Sequence, residues 1–319
     1  MSANVGELVA QAWQDKVGTK PEDGVHDEYS ELKRLEGNAL SRTGGRSLIG
    51  NIEYQTNPTV GAITSTQTLS VTFSDTFDEW EAQWKQYAGT VPMSSFEQAV
   101  NRGSNAKFDL QAGKLDSLEK TMRSTINADI FGAASGNEMT GYQDLIPLDP
   151  TTGTVQGINR GTYSFWRSQQ TSGAKTSSAY DALRAAMRTI RTACAKGQGV
   201  KFPTRYVTDA TTSNGYESIL IANERINDEK TNAKANAAFK GDVYKFGSAN
   251  VYWDDDCTSG YMYAVNDEDP VLAYQSGYWF KGYPAVEPAN QLIEVFKVET
   301  ILQLITKNPR HIGVITGIT

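Results

Sequence analysis

The sequence has few of the residues that build metal sites and nucleophilic active sites. Its 319 residues include two cysteines, Cys194 and Cys257, and two histidines, His26 and His311. They form no Cys-x-x-Cys motif and no Cys/His cluster, which argues against a structural zinc site, and we expect both thiols to be reduced. Two distant histidines also make a Ser–His or Cys–His pair hard to assemble, and no pair of carboxylates stands out. The sequence therefore predicts no catalytic residue, no metal and no cofactor.

A basic excess and long apolar runs are also missing. The chain has 30 Lys and Arg against 37 Asp and Glu, a net charge of −7. Proteins that bind nucleic acid without sequence preference have a basic surface that neutralises phosphates, so this class is disfavoured. No run approaches the about 18 apolar residues of a membrane-spanning helix, and the first residues do not have the pattern of a signal peptide. We therefore expect a soluble protein that is made in the cytoplasm.

The longest periodic stretch runs from Ser94 to Phe131. Ser94 and Glu97 have the spacing of a capping box, which begins a helix, and Gly132 stands where a helix commonly ends. Two internal glycines predict a kink or break near Arg102–Asn105. Apolar residues recur at the period of an amphipathic helix, at Phe96, Val100, Phe108, Leu115, Leu118, Met122, Ile126 and Ile130.

The residues before this helix predict a long hairpin that has no core of its own. Residues 47–59 have a strand pattern, the polar segment 60–74 follows, and strand signals return around Trp84. The spacing of Trp80 and Trp84 also fits a short helix, so this arm stays open between strand and helix. An isolated hairpin is marginal in water, so we expect it to lie on a neighbouring subunit. The candidate interface residues are Ile52, Tyr54, Pro58, Trp80, Trp84 and Arg102.

The segment that precedes the hairpin predicts an extended arm. A short amphipathic helix is expected over Val5–Trp13, and residues 16–45 are then polar and rich in charge and glycine. Because this segment has few apolar residues to bury, we expect an arm that lies on another surface, with a disordered tail as the alternative.

Beyond the long helix, the patterns predict an α/β layer. Residues 178–195 predict a helix whose apolar face includes Cys194 as a buried, inert thiol. Arg205–Thr208 predicts a buried strand, and residues 216–222 predict another helix. The expected overall class is α+β.

The last third of the chain predicts short strands and a terminal hairpin. Strands are expected at 251–254, 261–265 and 271–274, and the Asp254–Asp256 run is interpreted as a solvated strand end, not as a calcium loop. Two alternating runs, near residues 292–304 and 312–318, then predict an antiparallel hairpin that packs on the long helix.

A glycine-containing loop follows the long helix and includes Gly153–Arg160. It has neither a P-loop nor a G-x-G-x-x-G pattern, so a phosphate site is disfavoured. We instead expect Asn159 and Arg160 to satisfy backbone carbonyls and carboxylates within the loop. The candidate residues of this motif are Gly141, Asp144, Gly153, Gly157, Ile158, Asn159, Arg160 and Trp166.

This loop carries a resemblance to the major capsid proteins of tailed bacteriophages, which have the Hong Kong 97-type fold. In such proteins a similar run often reads Gly-Leu … Val-Gly-Gly-Ile-Asp-Arg … Trp-Trp-Arg. Tyr142, Gln156, Asn159 and Phe165 depart from that form; Asn159 and Phe165 are close substitutes, whereas Gln156 is not. The motif covers under a tenth of the chain, whereas the order of arm, hairpin, long helix, α/β region and terminal strands is similar over nearly all of it.

The resemblance implies a division of the chain. Residues 1–45 correspond to an N-arm, 46–93 to the E-loop hairpin, 94–132 to the spine helix of a peripheral domain, 133–285 to an axial domain, and 286–319 to the C-terminal strands of the peripheral domain. It implies a structural protein and not an enzyme, one that assembles into the pentamers and hexamers of an icosahedral shell around double-stranded DNA.

The implied partners are further copies of the chain, a separate scaffolding protein, a portal, packaged DNA without sequence-specific contacts, and a decoration protein as a further candidate, with no membrane. The implied location is the virion capsid after assembly in the host cytoplasm. Two alternatives stay open: an encapsulin-like nanocompartment shell that holds a cargo enzyme, and an unrelated α/β enzyme or binding domain.

Overall fold

The computed structural model describes residues 30–69, 71–100, 110–173, 180–195, 201–224 and 244–318. The predicted helix over Val5–Trp13, the predicted break at Arg102–Asn105 and the candidate Arg102 itself lie outside these residues. The helices of the described part are α1 (Ser30–Gly37), α2 (Ser95–Val100), α3 (Leu110–Phe131), α4 (Tyr142–Leu145), α5 (Tyr180–Cys194) and α6 (Ala210–Glu224), with 3-10 turns at Ser164–Trp166 and Pro309–His311.

The strands of the described part form one five-stranded sheet, one six-stranded sheet and two small hairpins. They are β1 (Leu40–Arg42), β2 (Ser47–Glu53), β3 (Phe77–Gln83), β4 (Lys85–Ser94), β5 (Thr154–Val155), β6 (Ile158–Asn159), β7 (Gln169–Thr171), β8 (Arg205–Thr208), β9 (Tyr244–Phe246), β10 (Ala249–Trp253), β11 (Tyr261–Val265), β12 (Val271–Gln275), β13 (Lys281–Val286), β14 (Ile293–Ile305) and β15 (Gly313–Thr316).

The long strand β14 is the centre of the five-stranded sheet. Leu302 on β14 pairs with both Tyr274 of β12 and Lys85 of β4, so β12 and β4 lie on opposite sides of it. β13 follows β12 along the same side, where Lys281 pairs with Glu299. β1 adds in parallel outside β12, and β4 runs antiparallel to β14 over its whole length.

The long helical stretch begins and ends as predicted. The backbone amide of Glu97 donates to Ser94 Oγ at 3.1 Å, and the Ser94 amide donates to Glu97 Oε2 at 3.2 Å, which is a complete capping box. At the other end, the Gly132 amide donates to the Ala128 carbonyl at 3.1 Å. Between them the structure has two described helices, α2 and α3, and residues 101–109 are outside the description.

Helix α3 packs closely against β4. Its buried residues Met122, Ile126 and Ile130 keep the predicted helical period. Opposite them stands Gly89, where a Cβ would come within 2.5 Å of Leu118 Cδ1. The strand can therefore approach the helix only because this position has no side chain.

The six-stranded sheet has the order β7-β15-β11-β8-β10-β9 and makes a second core with α5. The predicted apolar face of α5, formed by Leu183, Met187, Ile190 and Cys194, is fully buried. The strand predicted at Arg205–Thr208 is confirmed as β8, buried along its length, and the helix predicted at 216–222 is confirmed within the longer α6.

The predicted terminal hairpin is wrong. β14 belongs to the five-stranded sheet, whereas β15 pairs with β11 and β7 in the six-stranded sheet. The chain turns between the sheets at Lys307 and Asn308, whose amides donate to the buried Asp269 carboxylate at 3.0 and 2.9 Å. Asp269 lies in the connection between β11 and β12, and its hydrogen bonds hold the turn after β14. β14 and β15 therefore enter different sheets and do not pair with each other.

The long hairpin is present, and its return arm is strand and not helix. β2 pairs with β3 over seven residues, from Ser47 opposite Gln83 to Glu53 opposite Phe77. Trp80 lies within β3, and Trp84 is the single residue between β3 and β4. The return arm therefore divides: its first part closes the hairpin, and its second part enters the five-stranded sheet.

Candidate assembly site

The loop motif and the root of the hairpin lie together in one chain. β5 and β6 form a small hairpin whose turn is Gln156-Gly157, and the carbonyl of Gln156 accepts a 2.9 Å hydrogen bond from the amide of Glu81 on β3. From the sequence alone, the loop motif and the hairpin residues are two separate groups. In the structure the loop motif contacts the hairpin and holds its β3 strand.

Aromatic side chains reinforce this support. The Tyr54 ring lies 5.7 Å from Phe165 and 6.5 Å from Tyr163 between ring centroids. Trp166 is fully buried and its indole nitrogen donates to the Val155 carbonyl at 3.0 Å. Buried Trp80 belongs to the same core. Large aromatic contacts of this kind hold the hairpin at a defined position on its own subunit.

Arg160 does what the sequence predicts. It is buried, and its guanidinium donates to the carbonyl of Asp144 at 3.0 Å and to that of Leu145. Burial lowers the pKa of Arg160 to about 10, while the Asp144 carboxylate acts to raise it, so the side chain stays charged at neutral pH. Arg167 in turn donates to the Arg160 carbonyl at 2.7 Å, which closes the loop on itself.

Asn159 acts differently from the prediction. Its side-chain oxygen accepts from the amide of Gly161 at 2.7 Å, so it satisfies a backbone donor and not a carbonyl. Asn commonly closes turns in this way, by hydrogen-bonding to a backbone amide two residues on.

Asp144 and Gly141 fix the turn between α3 and α4. The Asp144 carboxylate accepts from the amides of Ala134 at 2.7 Å and Gly141 at 3.2 Å. A Cβ at Gly141 would lie 2.2 Å from the carbonyl oxygen of Gly132. The position therefore requires glycine because the backbone at the end of α3 occupies the space.

Gln156 carries local strain. Its φ is +51° and that of Gly157 is +82°, the pair of positive values that a type I′ hairpin turn requires. Neither polar atom of the buried Gln156 carboxamide has a hydrogen-bond partner in the structure. This is a position at which the resembling phage proteins often have glycine, so the departure noted in the sequence has a measurable conformational cost.

The remaining candidate residues divide by exposure. Ile52 and Trp84 are half-buried against the core of their own chain and Tyr54 is half-buried beside Phe165, whereas Pro58 is exposed at the hairpin tip. Gly153, with φ +87°, has open space around it, and Ile158 is buried in the same core. Their contribution to an interface stays a prediction.

The hairpin tip exposes apolar side chains. No charged residue occurs between Glu53 and Asp75. We call the hairpin-tip patch the five exposed side chains of this stretch, which are Val60, Ile63, Leu69, Val71 and Phe73. Val71 and Phe73 are 90% and 102% exposed, and a large exposed apolar patch commonly marks a contact site.

A buried polar cluster that the sequence analysis missed holds the arm to its own subunit. Glu31 on α1 is fully buried, and its carboxylate accepts from the hydroxyls of Tyr142 and Tyr252 and, at 3.0 Å, from the Arg205 guanidinium. Arg205 also donates to Asp267 at 2.7 Å. We call these five residues the Glu31 junction. It joins the arm, the loop motif and the six-stranded sheet.

The pKa shifts in the Glu31 junction agree with its hydrogen bonds. Burial acts to lower the pKa of Arg205, but the charge of Glu31 and the other acidic neighbours outweigh it, so the pKa is raised. Burial and then the Glu31 charge raise the pKa of Tyr142 and Tyr252, which keeps both hydroxyls protonated as donors. Arg205 therefore stays charged at neutral pH.

The start of α1 is held by two further elements. The Asp254 carboxylate accepts from the Glu31 amide at 3.0 Å and from Ser30 Oγ at 2.6 Å. Asn127 on α3 accepts from the Leu32 amide and donates to Asp254 Oδ1 at 2.9 Å. The interpretation of Asp254 as a solvated strand end is therefore wrong, because it is buried as an acceptor at a helix N-terminus. Residues 30–42 of the expected arm lie on the body of their own chain, where Leu32 and Leu35 are buried.

The described residues show no arrangement of three metal-ligating side chains, and none of their helices is long and apolar enough to cross a membrane. Both cysteines are free thiols and buried. Burial raises the pKa of Cys194 to about 12 and also raises that of Cys257, so neither is activated as a nucleophile.

Comparison with solved structures identifies this architecture. The chain superposes on the cyanophage A-1(L) capsid asymmetric unit with a TM-score of 0.69 and 17% identity, over 95% of this chain and 96% of that one. The chain has the phage capsid fold.

This result confirms the expected α+β Hong Kong 97-type architecture. The capsid of Myoviridae phage XM1 matches with a TM-score of 0.62 and 11% identity, over 95% of this chain and 96% of that one. The SrpI encapsulin of Synechococcus elongatus matches with a TM-score of 0.58 and 8% identity, over 100% of this chain and 96% of that one. No protein-family model and no curated protein sequence matches the chain.

Proposed function

We propose that the chain is the major capsid subunit of a tailed bacteriophage and has a structural, not a catalytic, role. Copies of it assemble into the pentamers and hexamers of an icosahedral shell that encloses double-stranded DNA. The observation that carries this proposal is the match of the fold to phage capsid structures over almost the full length of both chains.

The exposed hairpin supports the assembly role. A monomeric protein gains nothing from an uncharged, apolar tip that extends into solvent, whereas a neighbouring subunit would cover it. The Glu31 junction meanwhile holds α1 to the rest of its own subunit. Weak contacts at several such surfaces multiply into a stable shell when the assembly closes.

The domains implied by the resemblance follow the two sheets only in part, because β12 and most of β13 fall within residues 133–285 but lie in the five-stranded sheet. The five-stranded sheet with α3 corresponds to the peripheral domain, and the six-stranded sheet with α5 corresponds to the axial domain around the five- and six-fold axes. β15 lies in the six-stranded sheet, so on this proposal the C-terminal strands are shared between the two domains.

The proposed partners follow from the assembly role. We assign to the subunit a separate scaffolding protein, a portal, a decoration protein and packaged DNA held without sequence-specific contacts, with assembly in the host cytoplasm and a final place in the virion. The net charge of −7 suits an inner wall along which DNA slides.

Deletion of residues 58–74 tests the proposal. Electron microscopy of the wild-type chain, expressed alone and with its scaffolding protein, should show closed shells. The deletion variant should keep the circular dichroism spectrum and cooperative unfolding of the parent but form no shells, because it removes the hairpin-tip patch and leaves both sheets intact. Monodisperse wild-type monomers under every assembly condition would contradict the function, and normal shells from the deletion variant would contradict the role of the tip.

An encapsulin-like compartment is the second candidate, because the SrpI shell matches over the same length. The two candidates differ in contents. Shells purified from the expressing cell should contain nuclease-protected DNA if the phage assignment is correct, and a stoichiometric cargo protein without DNA if it is wrong.

A further inference from the structure

Positive charge is concentrated in one segment of an otherwise acidic chain. Residues 150–208 contain nine Lys and Arg against a single acidic residue, Asp181. The rest of the chain has 21 Lys and Arg against 36 Asp and Glu. The overall charge of −7 therefore hides a local basic excess, and a charge asymmetry of this kind commonly marks a surface that binds a polyanion.

Part of this basic segment is used within the fold. Arg160 and Arg205 are buried and donate to carbonyl and carboxylate oxygens. Arg167 donates to the Arg160 carbonyl at 2.7 Å, and Lys201 forms an ion pair with Glu268 at 2.5 Å. The three arginines of α5 are placed differently, because they lie at the surface.

We call the arginine stripe the residues Arg184, Arg188 and Arg191 of α5. At 3.6 residues per turn they fall within about 60° of the helix circumference and span about 10 Å along its axis. The buried face of α5, which contains Leu183 and Ile190, lies about 100° around the helix from them. Arg188 is exposed, and the other two arginines are half-buried. The stripe therefore follows one flank of the helix.

Aromatic rings hold two of the arginines in place. The Arg191 guanidinium carbon lies 4.8 Å from the ring centroid of Phe202, which is 40% exposed. A Cβ at Gly247 would come within 2.4 Å of Arg191 Nη1, so this guanidinium also lies against the turn between β9 and β10. Arg184 lies 5.5 Å from the Phe246 ring centroid. A stacked guanidinium keeps its in-plane N–H donors, and its fixed position reduces the side-chain freedom that is lost when it binds an anion.

The elements around α5 supply little opposite charge within the described residues. The elements that pack most closely against α5 are β7, β15 and the 3-10 turn after β14. None of these three contains Asp or Glu, and neither do β9 and β10. Asp181 stands three residues before Arg184 on α5, and Glu217 is on α6, which packs on β10. The described residues include no ion-pair partner for Arg188 or Arg191.

The chemistry of the stripe fits phosphate groups. A guanidinium presents a planar fork of donors that binds phosphate oxygens in pairs, and three of them along one helix flank can reach neighbouring phosphates of one backbone. On the proposed function, the polyanion that the shell holds is double-stranded DNA. Because the rest of the subunit is acidic, contact with DNA would be confined to the stripe, and DNA would still slide over the remaining wall.

We propose that the arginine stripe binds the phosphate backbone of the enclosed duplex DNA without sequence preference. This inference rests on the proposed function and adds the residues that meet the DNA. It places this flank of α5 at the inner surface of the shell. Three phosphate contacts in one subunit are weak, but many copies in a closed shell act together.

Duplex binding by the unassembled subunit tests the stripe. The probe is a fluorescein-labelled duplex of about 30 base pairs and arbitrary sequence, whose anisotropy is followed between about 50 and 200 mM salt. For three phosphate contacts, the slope of log affinity against log salt should be about −2.7. The combined variant Arg184→Gln, Arg188→Gln and Arg191→Gln should bind at least about tenfold more weakly at the lowest salt and lose most of this slope.

A matched control removes the same charge elsewhere. Arg42→Gln, Arg46→Gln and Lys297→Gln together replace three exposed basic residues outside residues 150–208. The affinity of this control for the duplex should stay within about twofold of that of the wild type. Equal losses in the two combined variants would overturn the proposal, because net charge and not the stripe would then govern binding. Polyglutamate that binds as tightly as the duplex, and only while the stripe is intact, would instead assign the stripe to an acidic protein segment.

A single substitution covers the case in which the combined variant folds poorly. Arg188 is the exposed member of the stripe, so Arg188→Glu should keep the circular dichroism spectrum of the parent. It should weaken duplex binding by about threefold or more at the lowest salt, whereas Lys297→Glu should leave it nearly unchanged. The same affinity in these two single variants would count against the stripe.

Assembled particles separate this inference from the proposed function. Electron microscopy of DNA-filled particles should show the outermost DNA layer in contact with the shell at α5, and this contact should be lost in the combined stripe variant. Normal filled shells in which α5 faces outwards, or in which DNA meets the wall elsewhere, would overturn the stripe and leave the capsid assignment standing. A wild-type chain that never assembles would overturn the capsid assignment, whatever its affinity for the duplex.

Discussion

At the Glu31 junction, Glu31 and Arg205 are buried and paired within one chain, whereas in the hairpin-tip patch apolar side chains are exposed and no charge is present. Each arrangement is costly in isolation. A buried ion pair depends on every partner being in place, and an exposed apolar patch depends on a cover. The junction is completed by folding, whereas we propose that the patch is completed by assembly. Substitutions in the first should change subunit stability, and substitutions in the second should change shell yield.

The largest loss of subunit stability is expected from a substitution at the centre of the Glu31 junction. Glu31→Ala leaves Arg205 buried with only the half-exposed Asp267 carboxylate and removes the acceptor of two tyrosine hydroxyls. We expect the free energy of unfolding of the unassembled subunit to fall by roughly 3–5 kcal/mol, measured by urea denaturation with tryptophan fluorescence. The control Glu79→Ala removes an exposed carboxylate from β3 and should stay within about 0.5 kcal/mol of the wild type. Equal losses in the two variants would show that the junction adds nothing to stability.

A smaller effect is expected at the turn that joins the loop motif to α3. Gly141→Ala forces a Cβ to within 2.2 Å of the Gly132 carbonyl oxygen and 2.5 Å of that of Asp129, and both contacts are with backbone. The stability of the subunit should fall by roughly 1–3 kcal/mol. Gly282→Ala on β13 is the matched control, because nothing lies within 4 Å of its Cβ position. If the two variants unfold at the same urea concentration, the turn adapts and the close approach is not required.

The smallest effect has the opposite sign. Gln156→Gly should raise the free energy of unfolding by about 1 kcal/mol, because it relieves the positive φ and removes an unpartnered carboxamide. Gln156→Ala separates the two causes, since it removes the carboxamide and keeps the strained backbone. A gain in the alanine variant as large as that in the glycine variant would assign the cost to the buried polar group and not to φ.

Local patterns predicted the elements whose form depends on nearby residues. The capping box at Ser94, the buried face of α5, the strand β8 and the role of Arg160 as a donor to carbonyls were all readable from spacing and residue type. The hairpin root was also predicted, although the choice between strand and helix at Trp80 needed the pairing of β3 with β2. The expected fold class followed from the order of these elements together with one short motif.

Only the tertiary structure decided which elements meet. The partners of Glu31 are 111, 174 and 221 residues away along the chain, so no local pattern shows that a polar arm contains a buried carboxylate. The same holds for β15, whose alternation fits either sheet until Asp269 turns the chain after Ile305. Local periodicity fixes which side of an element is apolar because neighbouring residues set it. The partner of that side depends on the whole folded chain.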